Sequence, residues 1–228
     1  TNVPSGTQIR GPTGEFLIYT YNAKGYMTLW NSTKVVSDSG SFLSTGGGTL
    51  GSIYKATPDQ PRNGGYQWNV TAPAGLPGAA VAVFNEELII GNDLQGRTAT
   101  ANILGLTGSP WHFWALNVKT GQAGTLIYNK SWTPPTGNLS ITFEKASLED
   151  NVFTVWSKEL RSRFGFNLHT GEQIWGPTEP EHYLQTFGLQ STIAYGNIYS
   201  TGYGGHLCAY NVKTGDKLWD LPIVEPYG

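Results

Sequence analysis

The chain has one cysteine, Cys208, and one methionine. A single thiol forms no intrachain disulfide, so these 228 residues are not a small disulfide-stapled fold. Cys208 falls inside a short β-prone run, which predicts a buried, inert thiol. His206, two residues away, shares its strand face but lacks the third orienting group that nucleophilic or redox chemistry needs. Charge is also scarce. Charged residues make up 13% of the chain and the formal net charge is −2, which gives no field for nucleic acid or an anionic membrane. No uninterrupted apolar run approaches the ~18 residues of a membrane-crossing helix. The first residues lack a charged region followed by an apolar stretch, so no signal peptide is read there. Helical solenoid repeats are disfavoured, because a Gly or Pro recurs every few residues among β-branched and aromatic runs.

Turn-formers and aromatics are plentiful: 30 Gly, 13 Pro, 8 Trp and 12 Tyr. They fall into a repeat. The run His206-Leu-Cys-Ala-Tyr-Asn211-Val-Lys-Thr214-Gly215-Asp-Lys-Leu-Trp219 reads as strand, tight turn, strand. Asn211 can bond back to the backbone, Thr214 offers a hydroxyl, and Gly215 tolerates positive φ. The pattern recurs at Phe164 to Trp175, with Asn167, Thr170, Gly171 and Trp175, and at Trp114 to Gly121, with Asn117, Thr120 and Gly121. Asn117 to Asn167 spans 50 residues and Asn167 to Asn211 spans 44. A weaker copy, Tyr26 to Lys34, places Asn31 86 residues before Asn117. The excess is explained by a loop of about residues 35–65 inserted into its turn, with Trp68 on the return strand in the role of Trp175 and Trp219. Short strands at a period of ~40–50 residues predict an all-β chain of β-propeller blades, about four of them, in a single domain over residues 1–228.

The motif Ala-x-Asp-x-x-Thr-Gly-x-x-x-Trp resembles the repeat of the PQQ-like, quinoprotein-type propeller family. Ala209, Asn211, Thr214, Gly215 and Trp219 match it with Asn in place of Asp; Gly165, Asn167, Thr170, Gly171 and Trp175 match with one further change; Ala115, Asn117, Thr120 and Gly121 match, but Thr125 stands where Trp is expected. The resemblance covers most of residues 80–222. It implies that each Trp packs between neighbouring blades. Family members commonly close with more than four blades, so the chain is expected to be part of a larger or open propeller. The family's dehydrogenases hold their quinone with an adjacent Cys-Cys disulfide and a Trp platform, and bind calcium through Glu, Asn and Asp beside an Asp base. No Cys-Cys pair is present, and the acidic residues fall mostly in turns: Asp59, Asp93, Glu149, Asp150, Glu172 and Asp216.

Other expectations are local. Residues 1–14 read as a surface tail and Asp220 to Gly228 as a Pro-containing tail. The first blade lacks a clear inner strand. Ala79 to Phe84, nearly all apolar, reads as an inner strand buried on both faces. Gly46-Gly47-Gly48 is a flexible loop, because no strand, helix or Lys-Ser/Thr offset accompanies it as a phosphate loop requires. Glu179, Glu181 and His182 could ligate a metal, but they sit too close together and read as a solvated connector.

Four Asn-x-Ser/Thr sequons, at Asn31, Asn69, Asn129 and Asn138, are candidate glycosylation sites, the last two flanking a surface loop. The insertion at 35–65, the loop at 92–110, and Trp111, Trp132 and Trp156 are candidate recognition features. These readings point to a non-enzymatic extracellular or cell-envelope propeller. It would act as a scaffold or binding module for protein or glycan, with no cofactor and no nucleic acid partner. Open blade edges would allow self-association. The alternative is a PQQ-dependent dehydrogenase or part of one.

Overall fold

A computed structural model describes residues 3–34, 65–94, 110–137, 139–182, 190–202 and 204–223. The expected insertion, the triple-glycine loop, Asn138 and most of the 92–110 loop lie outside the described residues. Among the described residues, sixteen strands form four separate four-stranded antiparallel sheets. The first holds β1 (Thr7–Arg10), β2 (Phe16–Asn22), β3 (Tyr26–Asn31) and β4 (Tyr66–Thr71). The second holds β5 (Ala79–Phe84), β6 (Leu88–Asn92), β7 (Trp111–Asn117) and β8 (Leu126–Trp132). The third holds β9 (Ile141–Ser147), β10 (Val152–Ser157), β11 (Ser162–Asn167) and β12 (Gln173–Trp175). The fourth holds β13 (Gln190–Ala194), β14 (Asn197–Thr201), β15 (His206–Asn211) and β16 (Lys217–Pro222). In every sheet the spatial order follows the chain. This four-stranded meander is the blade unit of a β-propeller, and the fold is all-β of that type. Among the described residues no helix is long and apolar enough to cross a membrane.

Three local expectations need correction. The first sheet is complete. Thr7–Arg10, read as tail, is one of its edge strands, paired with Phe16–Tyr19 from Thr7↔Tyr19 to Arg10↔Phe16. Thr7 and Ile9 are half-buried while Gln8 and Arg10 face solvent, an alternation that the surrounding Gly and Pro hide in the sequence. The last strand runs through Pro222, so Asp220 belongs to a strand and not to a tail. The apolar run Ala79–Phe84 is an edge strand with only Val83 buried. Lacking a strand neighbour on one side, it is covered less than β6, where all five residues are buried.

The chain falls into two compact units, Thr1–Leu76 with Ala80–Ile90 and Leu116–Leu126, and Pro77–Ala79 with Gly91–Ala115 and Ile127–Gly228. The first unit is centred on Leu17, Tyr19, Met27, Leu29, Leu88, Ile90, Leu116 and Val118, all buried. Tyr19 closes it by donating from its hydroxyl to Asn85 Oδ1 at 2.7 Å. The second is built on aromatics. Phe113, Phe153 and Phe166 meet with ring centroids 4.9–5.1 Å apart, and Trp132 stands edge-on to Phe166 at 5.3 Å. Such rings contribute about 0.5–1.5 kcal/mol per pair beyond their buried area.

Candidate functional site

The motif residues build the joints between sheets. Asn211 Oδ1 accepts the backbone N–H groups of Lys213 and Thr214, and Asn167 Oδ1 accepts those of His169 and Thr170. This is an Asx turn, in which a side-chain oxygen stands in for a backbone acceptor. The turn at Asn117 in the second sheet differs, because Asn117 uses its amide nitrogen to donate to Thr125 Oγ1. Gly121, Gly171 and Gly215 take φ of +80°, +70° and +76°, the left-handed region that the turn demands.

Backbone hydrogen bonds set the register of each return strand. The amide of Asn31 donates to Gly65, Asn117 to Thr125, Asn167 to Glu172, and Asn211 to Asp216. Three residues beyond these acceptors stand Trp68, Tyr128, Trp175 and Trp219. The second turn is three residues longer than the third and fourth, so the aromatic missing at Thr125 is supplied by Tyr128. Linear motif spacing could not find it; the closing hydrogen bond does.

Two of these aromatics, Tyr128 and Trp175, carry the turn of the following sheet. A Cβ on Gly171 would lie 2.6 Å from the Tyr128 ring, and one on Gly215 would lie 2.6 Å from the Trp175 ring. Trp175 also lies flat on Gly165 of its own sheet and donates from Nε1 to Val212 O at 2.9 Å. The implied packing of Trp between blades therefore holds for Trp175, which is 8% exposed. It fails for Trp219, the matching residue of the fourth sheet, which is 42% exposed. Cross-strand register places Trp219 opposite Ala209 and Leu221 opposite Leu207, on the same face as Tyr199. Leu221 is 53% exposed and Ile223, continuing the alternation, 51%. This face looks away from the core formed by Val152, Trp175, Ile198, Cys208 and Tyr210. It is an aromatic and aliphatic surface with no described cover.

The other candidates are now placed. Trp111 and Trp156 are buried, and Trp132 is half-buried against Phe164 and Phe166, its Nε1 donating to Gln173 Oε1 at 2.7 Å. These three are core and seam residues, not recognition features. Asn69 and Asn129 are exposed, Asn129 within β8 just before the loop it flanks, whereas the Asn31 side chain is engaged with Thr33 N and Gln67 Oε1. Cys208 is buried, and burial, with Glu181 and Asp220 nearby, pushes its thiol up to about 11.

Glu179, Glu181 and His182 do not converge. Glu179 pairs with Lys217 at 2.8 Å, while Glu181 turns inward and His182 turns towards Asp220. Glu181 joins a network that no local pattern signals. The fully buried Arg163 binds Glu144 at 2.9 Å and Glu181 at 2.8 Å, and donates to Ser200 Oγ at 2.6 Å. Its guanidinium lies over Trp156 and Tyr210, 4.6 and 4.9 Å from the ring centroids. Burial alone would lower its pKa, but the two carboxylates outweigh that and hold it charged. The network ties the third sheet to the fourth. Sealed under two rings, it offers no surface to a substrate. A polar groove of about 330 Å³ runs nearby along Trp175–Glu179 and Thr214–Lys217.

No family model and no curated protein matches this chain. Among solved structures it is similar to the computationally designed Ika8 protein, with 10% identity over 94% of this chain and a TM-score of 0.46. It is also similar to BamB from Moraxella catarrhalis, with 12% identity over 94% of this chain and a TM-score of 0.41. The designed Ika4 protein matches 64% of this chain at 13% identity, with a TM-score of 0.39. The chain spans 48% of Ika8, 50% of BamB and 74% of Ika4.

Proposed function

We propose that this chain is a non-enzymatic scaffold of the PQQ-like repeat family, working outside the cell or in the cell envelope, which docks a protein partner on the outer face of its fourth sheet. The observation that carries this reading is Trp219. The equivalent Trp175 is buried beneath the Asn-x-x-Thr-Gly turn of the next sheet, whereas Trp219, Leu221 and Ile223 present an apolar surface that no described residue covers. A surface built to receive a blade turn selects a blade, and this chain carries such turns itself. The partner is therefore a second copy of this chain, its Gly-bearing turn seated on Trp219 as Gly215 seats on Trp175. Large aromatics at the centre of an apolar patch are the usual energetic anchors of such interfaces. Exposed Asn69 and Asn129 are compatible with N-glycans in an extracellular setting.

Sedimentation of the chain over a range of concentrations tests this. A reversible self-association weakened at least about tenfold by Trp219→Ser is expected, since truncating an interface anchor costs ~2 kcal/mol or more. A chain that stays monomeric up to hundreds of micromolar, or an association that Trp219→Ser leaves intact, would overturn the reading. The dehydrogenase alternative would need accessible carboxylates near a cofactor, and the pair that the fold does bring together, Glu144 and Glu181, is neutralised by Arg163 beneath Trp156 and Tyr210.

A further inference from the structure

Three residues distant in sequence converge at one end of the fourth sheet. His206 opens β15, Asp220 lies in β16, and His182 stands in the segment that follows β12. Asp220 sits opposite Cys208, so its carboxylate shares the face of Cys208 and His206. His206 Nδ1 is 2.5 Å from Asp220 Oδ1, and His182 Nε2 is 3.0 Å from Asp220 Oδ2. The two imidazole rings lie 4.9 Å apart, and the three donor atoms all fall within 4.8 Å of one another. His182 does not reach the cluster by chance of a loose side chain. Its carbonyl accepts from Arg161 Nη1 at 2.8 Å, and the preceding amide of Glu181 donates to Arg161 O at 2.8 Å, which fixes its backbone.

A second observation points to a ligand. Asp220 Oδ2 is buried and accepts no well-formed hydrogen bond, although His182 Nε2 stands 3.0 Å away and Lys217 Nζ 3.8 Å away. A buried carboxylate oxygen left in that state is costly unless a cation completes it.

We infer that His182, His206 and Asp220 form a binding site for a divalent transition-metal ion of the zinc type. Two imidazole nitrogens and one carboxylate oxygen suit zinc, copper or nickel, whereas calcium and magnesium take oxygen ligands. Tetrahedral zinc at about 2.0–2.1 Å from N and O donors separates them by roughly 3.4 Å. The observed separations reach that with small rotations, chiefly of His182, whose side chain is 59% exposed. Three protein ligands leave one position for water or an outside ligand. Lys217 is the built-in competitor for Asp220, and its pairing with Glu179 draws its charge away from the ion.

The test is equilibrium dialysis of the untagged, metal-stripped chain against zinc, with cobalt(II) absorption as a readout of coordination geometry. One ion per chain is expected, with a tetrahedral cobalt spectrum that calcium and magnesium do not abolish. His182→Asn and His206→Asn should each weaken binding at least about tenfold. His182 is exposed, so its replacement leaves folding intact, and circular dichroism checks the other. His112→Asn, on a separate histidine paired with Asp93, should leave binding unchanged. Lys217→Gln should tighten it several-fold by removing a like charge. Absence of a stoichiometric ion at tens of micromolar zinc would overturn the inference, as would binding that His182→Asn and His206→Asn leave intact.

Discussion

At the scale of the residue, an aromatic three positions past the closing hydrogen bond carries the joint to the next sheet, as Tyr128 and Trp175 do. Tyr128 fills this place in the second sheet, yet its hydroxyl is buried without a partner and burial pushes its ionisation well up. Tyr128→Phe should therefore hold or raise stability by up to ~1 kcal/mol, measured by urea unfolding, because an unsatisfied buried polar group is removed. Trp175→Ala should cost about 3–5 kcal/mol through the cavity and the lost bond to Val212. Gly215→Ala places a Cβ 2.6 Å from the Trp175 ring at φ +76°, and should cost more than ~1–2 kcal/mol by the combination of clash and strain. Arg163→Ala strands Glu144 and Glu181 in the interior. Its expected cost is ~3–5 kcal/mol, much of it recovered when both glutamates are also replaced by apolar residues in a triple variant.

At the scale of the element, the Asx turns decide whether two strands meet in register. Asn167 Oδ1 accepts two backbone N–H groups. Asn167→Ala should lose ~1 kcal/mol, by analogy with the loss of a helix cap, which removes the same kind of bond. Asn167→Asp keeps the accepting oxygen and should stay within ~0.5 kcal/mol of the parent. Thermal unfolding of the pair separates the hydrogen bond from the bulk of the side chain. The same scale explains why the fourth sheet differs from the third. Both end in an aromatic placed by one pattern, but among the described residues a turn covers Trp175 and none covers Trp219. Among the described residues nothing pairs with the outer edge of β16 or covers Trp219, the arrangement that proteins otherwise cover or blunt.

At the scale of the whole molecule, alkaline pH should be destabilising. Burial, with the Glu86 charge adding to it, pushes the Tyr19 hydroxyl up to about 12, and burial raises Tyr128 as well. The folded chain keeps phenolic protons that the unfolded chain gives up from about pH 10. The contribution is thus fully present below about pH 10 and is lost as pH rises through about 12. Urea midpoints measured from pH 8 to pH 12 should fall across that window. Tyr19→Phe should flatten the fall, and an unchanged midpoint through pH 12 would contradict the assigned burial of these phenols.

The sequence by itself determined the repeat, the all-β class and the turn chemistry, because Asn, Thr and Gly at fixed offsets act through hydrogen bonds and φ values only a few residues long. It located four sheets and nearly all of their strands for the same reason. Tertiary structure decided what depends on partners far along the chain. Tyr128 took a tryptophan's place because a longer turn shifted its register. Ala79–Phe84, expected to be buried on both faces, buries only Val83, because among the described residues it has a strand neighbour on one side alone. Arg163 met Glu144 and Glu181, and His182 met His206 and Asp220, only because folding brought separate strands and a connector together. Trp175 and Trp219 carry the same local signature. Their burial differs because burial is set by the neighbour that arrives and not by the residue that waits for it.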